Sequence, residues 1–241
     1  MPAPIIVFDL DGTLVDTAPD LIETLNVVFA RHKVPAVAFE DARAMIGAGV
    51  KPLLTRGLAS QGIQLPPAEI DGLFEEYLVL YAAHIADRSR PFPGLEAALD
   101  ALAADGCILA VCTNKLEWLS VRLLDALGLS HRFAAICGQD TFPMRKPDPE
   151  MLRLTIAKAG GSADRAVMVG DSMTDVLTAK NAAVPVVAVD FGYTETPPAQ
   201  LGADRLISHF DALPAAVRSL THQGTGRSEA PPFGRVKLSP G

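Results

Sequence analysis

The sequence predicts an α/β protein, a doubly wound parallel sheet with an inserted α-helical cap domain and a flexible C-terminal tail. Three observations carry that prediction. Short apolar runs alternate with segments whose apolar residues recur at helical spacing. One connection, from residue 11 to residue 106, is far longer than the ~10–12 residues a crossover between parallel strands needs. Acids, a hydroxyl and a lysine stand just beyond several apolar runs, where open α/β sheets bind their ligands.

Residues 5–10 are continuously apolar up to Asp9 and close at Asp11-Gly12, which reads as a buried strand and a turn. A helical insert is expected over about residues 15–90. Leu21, Leu25, Val28 and Phe29 form one stripe there; Ile70, Leu73, Phe74, Tyr77, Leu80 and Tyr81 form another. The chain returns through Arg90-Pro91-Phe92-Pro93-Gly94, leaving residues 1–14 and 91–220 to the core domain. An insert rooted at the carboxyl end of the first strand can act as a lid. Leu95, Leu99 and Leu102 share a helical face, as do Leu116, Leu119, Leu123 and Leu127. Further strands are expected at residues 107–112, 134–137, 166–169 and 184–189, and Asp148-Pro149 reads as an N-cap followed by Pro at the first helical position. Residues 221–241 are rich in Gly and Pro without periodicity and read as a tail.

The 241 residues carry 21 Lys and Arg against 28 Asp and Glu, a net charge of -7. That balance argues against nucleic acid or an anionic membrane as partner. No apolar run approaches the ~20 residues of a membrane helix, and residues 5–8 are too brief for a signal sequence. The three cysteines, Cys107, Cys112 and Cys137, lack metal-ligand spacing and read as unpaired thiols, so a cytoplasmic protein is expected.

The segment Asp9-Leu10-Asp11-Gly12-Thr13 places two acids at the tip of a buried strand, where unused charge is costly. Alone, it could be turn chemistry; it is not an EF-hand loop, whose glycine comes at position six. The run 107–112 ends at Thr113-Asn114-Lys115 before a helix, a hydroxyl, an amide and free N–H groups suited to an oxyanion. The run 166–169 leads into Gly170-Asp171-Ser172-Met173-Thr174-Asp175, and Lys146 precedes the capped helix. Each has a bland reading: Thr113 as a helix cap, Lys146 as a solvated charge, Asp171 as a loop acid. Their arrival together at strand ends argues for a site. The phosphate loop, the dinucleotide fingerprint, the H-E-x-x-H pair and the nucleophile elbow are all missing from the sequence, and the five histidines are scattered.

Asp9-x-Asp11-Gly12-Thr13, Thr113, Lys146 and Gly170-Asp171-x-x-x-Asp175 resemble, in order and spacing, the four motifs of the haloacid dehalogenase superfamily, over about residues 5–217. Thr113-Asn114-Lys115, Lys146-Pro147-Asp148-Pro149 and Phe191-Gly192-Tyr193 look like its phosphoglycolate phosphatases and their near relatives. The resemblance implies a Rossmann-like core with a helical cap. It implies Asp9 as a nucleophile that forms an aspartyl phosphate, and Asp11 as the acid that protonates the leaving alkoxide and then deprotonates water. It implies Mg²⁺ held by Asp9, the Asp11 backbone carbonyl and Asp171, with Asp175 a further ligand or acceptor. Phosphoryl oxygens would meet Thr113, Asn114 and Lys146. The chemistry agrees: a carboxylate approaches a phosphate dianion only where cations neutralise both, and an all-oxygen ligand set favours magnesium over zinc.

In the cap, Gly47 and Gly49 stand before an expected helix, so their loop could meet a second anionic group of a substrate, helped by Lys51, Arg56 or Arg43. Glycines between short helices are also ordinary turns. The function expected is Mg²⁺-dependent hydrolysis of a small phosphorylated metabolite, 2-phosphoglycolate first, by a monomer or homodimer. Alternatives are another small phosphate ester or pyrophosphate. A dehalogenase is disfavoured by Asp11, a sugar phosphomutase by Leu21 where such relatives place a histidine, and a non-catalytic binding protein by the intact acid–lysine set.

Overall fold

The computed structural model describes residues 3–221. The expected tail lies outside the described residues apart from Thr221, which belongs to the last described helix.

The chain runs β1 (Ile5–Phe8), β2 (Val15–Asp16), α1 (Ala18–Arg31), α2 (Phe39–Arg43), α3 (Val50–Ser60), α4 (Pro67–Ala83) and β3 (Arg90–Pro91). It continues through α5 (Leu95–Ala104), β4 (Ile108–Cys112), α6 (Glu117–Ala126), β5 (Ala135–Cys137), α7 (Pro149–Lys158) and β6 (Ala166–Gly170). The last elements are α8 (Met173–Asn181), β7 (Val186–Val189), β8 (Arg205–Ile207) and α9 (Leu213–Thr221). Six parallel strands form one sheet in the order β5-β4-β1-β6-β7-β8. The connections run outward from β1 to one edge through β4 and β5, then to the other through β6. β1 is therefore central, and the crevice at its carboxyl end is where such sheets take ligands.

Burial on both faces explains the unbroken apolar runs. Ile6 and Phe8 point into one core with Val111, Val169 and Val187; Ile5 and Val7 point into the other with Ala110, Met168 and Val186. The two-residue period of the strand divides β1 between them. Local signals set the helix ends. Asp148 accepts a hydrogen bond from Glu150 N at 2.9 Å at the head of α7, and Ser172 and Asp175 form a reciprocal capping box at the head of α8.

The helices α1–α4 stand beyond the carboxyl end of β1. They join the sheet domain through an antiparallel pair, β2 with β3, in which Val15 faces Pro91 and Asp16 faces Arg90. Buried Asp20 of α1 fastens the return: its carboxylate accepts from Arg88 N (3.0 Å), Ser89 N (2.7 Å) and Ser89 Oγ (2.6 Å). Inside the cap, Gly57 of α3 lets Phe29 of α1 pack against its backbone, since a Cβ there would lie 3.0 Å from the ring.

Candidate active site

Four loops meet at the carboxyl edge of the sheet. Phe8 pairs in register with Val111 of β4 and Val169 of β6. Asp9 therefore stands level with Cys112 and Gly170, and Thr113 and Asp171 follow one residue beyond, at the same edge of the sheet. The turn after β1 is tight. Leu14 N and Val15 N both donate to Leu10 O, and Gly12 takes φ +82°, open to few side chains. A Cβ on Gly12 would also lie 2.5 Å from Asp171 Oδ2. The turn can only close because residue 12 has no side chain.

Lys146, buried at the loop before α7, directs its ammonium to Asp175 Oδ1 at 2.6 Å and lies 2.9 Å from Asp9 Oδ1. The approach to Asp9 is off hydrogen-bond geometry, and Asp9 Oδ1 has no hydrogen-bond donor among the described residues. Asp175 Oδ2 accepts from Ser172 Oγ (2.6 Å) and N (3.1 Å), so both Asp175 oxygens are engaged and the residue orients Lys146. Asp171 accepts from Thr13 Oγ1 (3.0 Å) and Tyr193 N (2.7 Å). One carboxylate oxygen from each of Asp9, Asp171 and Asp175 lies within 4.8 Å of the others.

Three buried carboxylates thus face one ammonium. Burial, reinforced by the charge of Asp175 and opposed by Lys146, raises the Asp9 carboxyl above its ordinary range. Asp171 is raised by burial and then by Asp175 and Asp9. Burial by itself would lower the Lys146 ammonium, but Asp175 and Asp9 overcome it and hold Lys146 above the ordinary lysine value. Such an excess of negative charge, in hard oxygens and with an undonated Asp9 Oδ1, fits a divalent cation such as Mg²⁺.

Thr113 N is fixed to Cys137 O at 3.0 Å, and its hydroxyl oxygen accepts from Lys115 N at 3.2 Å, leaving the hydroxyl proton free. Asn114, expected at the phosphate, is buried beside Thr113. Its Nδ2 is spent on Lys146 O (3.2 Å) and Gly47 O (3.4 Å), so it ties the cap loop to the lysine loop. Beneath the site, burial pushes the Cys112 thiol up to about 12, which makes it inert.

The cap closes over this edge and leaves a cavity of about 30 Å³ lined by Asp9, Asp11, Thr113, Asn114, Lys115 and the cap residues Leu21, Ile46, Gly47, Gly49, Val50 and Leu53. That is room for about two waters. Gly47 and Gly49 are at the cavity; Lys51 and Arg56 are not. Lys51 pairs with Asp71 (2.6 Å) over the Phe74 ring, and Arg56 donates to Met45 O (3.3 Å) beside Glu195. Helical period explains their placement: Val50, Leu53 and Leu54 take the inner face of α3 and turn both cations to solvent. Arg43 binds Phe191 O (3.2 Å) and Gly192 O (2.9 Å) over the Tyr193 ring, bracing cap against core.

The cation that does line the cavity was not read from the sequence as a site residue. Lys115 Nζ donates to Asp11 Oδ1 (3.0 Å) and Oδ2 (3.3 Å) and to Tyr81 OH (2.9 Å) of α4. Thr17 Oγ1 also donates to Asp11 Oδ1 at 2.8 Å. The signal was present, since Lys115 directly follows Thr113-Asn114, but Tyr81 lay on a stripe read only as core.

A fold and site of this kind define a hydrolase class. The model of the haloacid dehalogenase-like hydrolase family matches residues 6–189, and the chain belongs to that family. A curated relative from Mesorhizobium japonicum, a phosphoglycolate phosphatase, is 51% identical over 213 residues, 88% of this chain and 94% of its own. Another from Agrobacterium fabrum, of the same name, is 47% identical over 223 residues, 92% and 96% of the two chains. Among solved structures, a predicted phosphoglycolate phosphatase from Haemophilus somnus superposes with TM-score 0.83 at 30% identity, over 89% of this chain and 97% of that one. Among the described residues, no helix is long and apolar enough to cross a membrane.

Proposed function

We propose that the protein is a Mg²⁺-dependent phosphomonoester hydrolase of the cytoplasm whose substrate is 2-phosphoglycolate, cleaved to glycolate and phosphate. The observation that carries the reading is Asp9: a buried carboxylate at the tip of the central strand, with the Lys146 ammonium 2.9 Å away and Asp171 beside it. The relatives' shared name supports the substrate.

Asp9 attacks phosphorus, and the bond from phosphorus to the ester oxygen breaks as Asp11 delivers a proton to that oxygen. Water then gives a proton to Asp11 and attacks the same phosphorus, releasing phosphate and restoring Asp9. Dividing the displacement in two lowers each barrier. Lys146 and the Thr113 hydroxyl meet the phosphoryl oxygens. Asp9 and Asp171 would hold Mg²⁺, which supplies positive charge against the developing negative charge. The closed cap excludes bulk water, which strengthens these interactions. Leu21, lining the cavity, has no proton to exchange with a sugar hydroxyl.

The test is phosphate release from a panel of phosphorylated metabolites with and without Mg²⁺, together with trapping and peptide mapping of the phosphoenzyme. Label on Asp9 and a preference for phosphoglycolate are expected. A tenfold preference for a hexose phosphate, a nucleotide or pyrophosphate would overturn the substrate, and label on another residue would overturn the mechanism.

A further inference from the structure

We infer that Lys115 selects the substrate by binding a carboxylate placed on the carbon next to the phosphate ester oxygen, so that the preferred class is small α-phosphoryloxy carboxylates. The inference rests on the phosphatase reading and deepens it.

Three features of the site lead there. The first is that Lys115 is the cation at the cavity on the side of Asp11, whereas Lys51 and Arg56 are engaged at the surface. Its side chain is only 3% exposed. An ammonium so desolvated discriminates between charged and neutral ligands far better than one in water. The second is reach. Asp11 must stand at the ester oxygen to protonate it, and Lys115 Nζ lies 3.0 Å from Asp11 Oδ1. In an α-phosphoryloxy acid one carbon separates the ester oxygen from the carboxyl carbon, so the carboxylate oxygens lie about 3 Å from the ester oxygen at ordinary bond lengths. The two separations match. One more methylene carries the carboxylate beyond that separation, and the apolar residues of the same cavity, Leu21, Ile46 and Leu53, offer it no partner. The third is the available donor. Lys115 has three N–H groups; Asp11 Oδ1 and Tyr81 OH hold two at 3.0 and 2.9 Å, and the longer 3.3 Å contact to Oδ2 is the one a ligand carboxylate displaces. Because Tyr81 belongs to the cap, the ammonium is aimed only while the cap is closed. A bulky acid that props the cap open forfeits that aim.

The experiment compares kcat/KM for phosphoglycolate, ethyl phosphate and 3-phosphooxypropionate in the full-length protein with Mg²⁺. Ethyl phosphate replaces the carboxylate by a methyl group, and the third substrate moves it one carbon outward. Phosphoglycolate is expected to exceed both, and Lys115→Gln is expected to reduce that preference by on the order of 10–100-fold, the loss of a charged hydrogen bond. Lys115→Gln keeps a donor for Asp11 and Tyr81; Lys115→Met, lacking it, should lose at least as much preference. Lys51→Ala and Arg56→Ala should leave the preference within about twofold. Equal use of phosphoglycolate and ethyl phosphate by the unaltered protein would overturn the inference without any variant. So would an unchanged preference in folded Lys115→Gln, or a collapse in Lys51→Ala. Each of these three results leaves the phosphatase reading standing, whereas failure to hydrolyse all three esters and an aryl phosphate would remove both.

Discussion

Gly192 sits against the back of Asp171, and its replacement tests whether the position of that carboxylate governs metal use. A Cβ on residue 192 would lie 2.2 Å from Asp171 Cβ and 2.4 Å from Oδ2, where ordinary contact begins near 3.4 Å. The conflict is with a side chain held at both oxygens, by Thr13 at 3.0 Å and Tyr193 N at 2.7 Å. Gly192→Ala must therefore displace Asp171 by about 1 Å, enough to cost ~10²-fold in turnover where groups are prealigned. Overpacking should cost about 1–3 kcal/mol of stability. Activity titrated with Mg²⁺ should show at least tenfold weaker half-saturation, and the Mg²⁺-induced rise in melting temperature, read without substrate, should shift to higher concentration in parallel. Gly72→Ala is the control. Gly72 lies in α4 with open space around it, so alanine there should stabilise by about 0.5–1 kcal/mol and leave the Mg²⁺ response alone. A folded Gly192→Ala protein with unaltered Mg²⁺ dependence would refute the reasoning.

Asp9→Asn should lower turnover at least ~10³-fold while preserving the fold, checked by single-turnover kinetics beside a melting curve. Asp11→Asn should cost on the order of 10²–10⁴-fold with an alkyl phosphate but much less in phosphoenzyme formation from an aryl phosphate, whose leaving group needs no proton; equal damage to both would exclude Asp11 as the acid. Asp9 and Asp171 are raised in the folded protein, to about 6 and about 8, so in the absence of metal the folded state binds more protons than the unfolded chain across that range. Metal-free stability should then fall as pH rises from the ordinary carboxylate value of 3.8 through the raised ones, and millimolar Mg²⁺ should flatten the fall; denaturant midpoints measured from pH 4 to 8.5 would check it, and a metal-free midpoint that rises over that span would count against the cluster.

The sheet was legible because its signals are local and strong. Continuous apolar runs mark strands buried on both faces, and residues 5–8, 108–112 and 166–170 needed no distant contact to be read. β8 escaped because Arg205-Leu206-Ile207 is short and mostly exposed at a sheet edge, and β2 and β3 because two residues carry no periodicity. Asp9, Asp11, Thr113 and Asp171 could be singled out because each stands just beyond a strand and parallel strands deliver their ends to one edge; Lys146, ahead of α7, and Asp175, in the first turn of α8, joined them through the order and spacing of the four motifs the chain resembles. Which cation faces the cavity was a tertiary decision. Lys51, Arg56 and Lys115 are equivalent in sequence, each a charge near a glycine or a helix start. The packing of α3 turned the first two outward, and the seating of α4 brought Tyr81 against the third. Likewise, only the meeting of residues 12, 171 and 192, far apart in the chain, shows why two of them must be glycine. A sequence states what each residue can do within a few neighbours; which charges become desolvated together depends on distances that exist only once the cap has closed on the sheet.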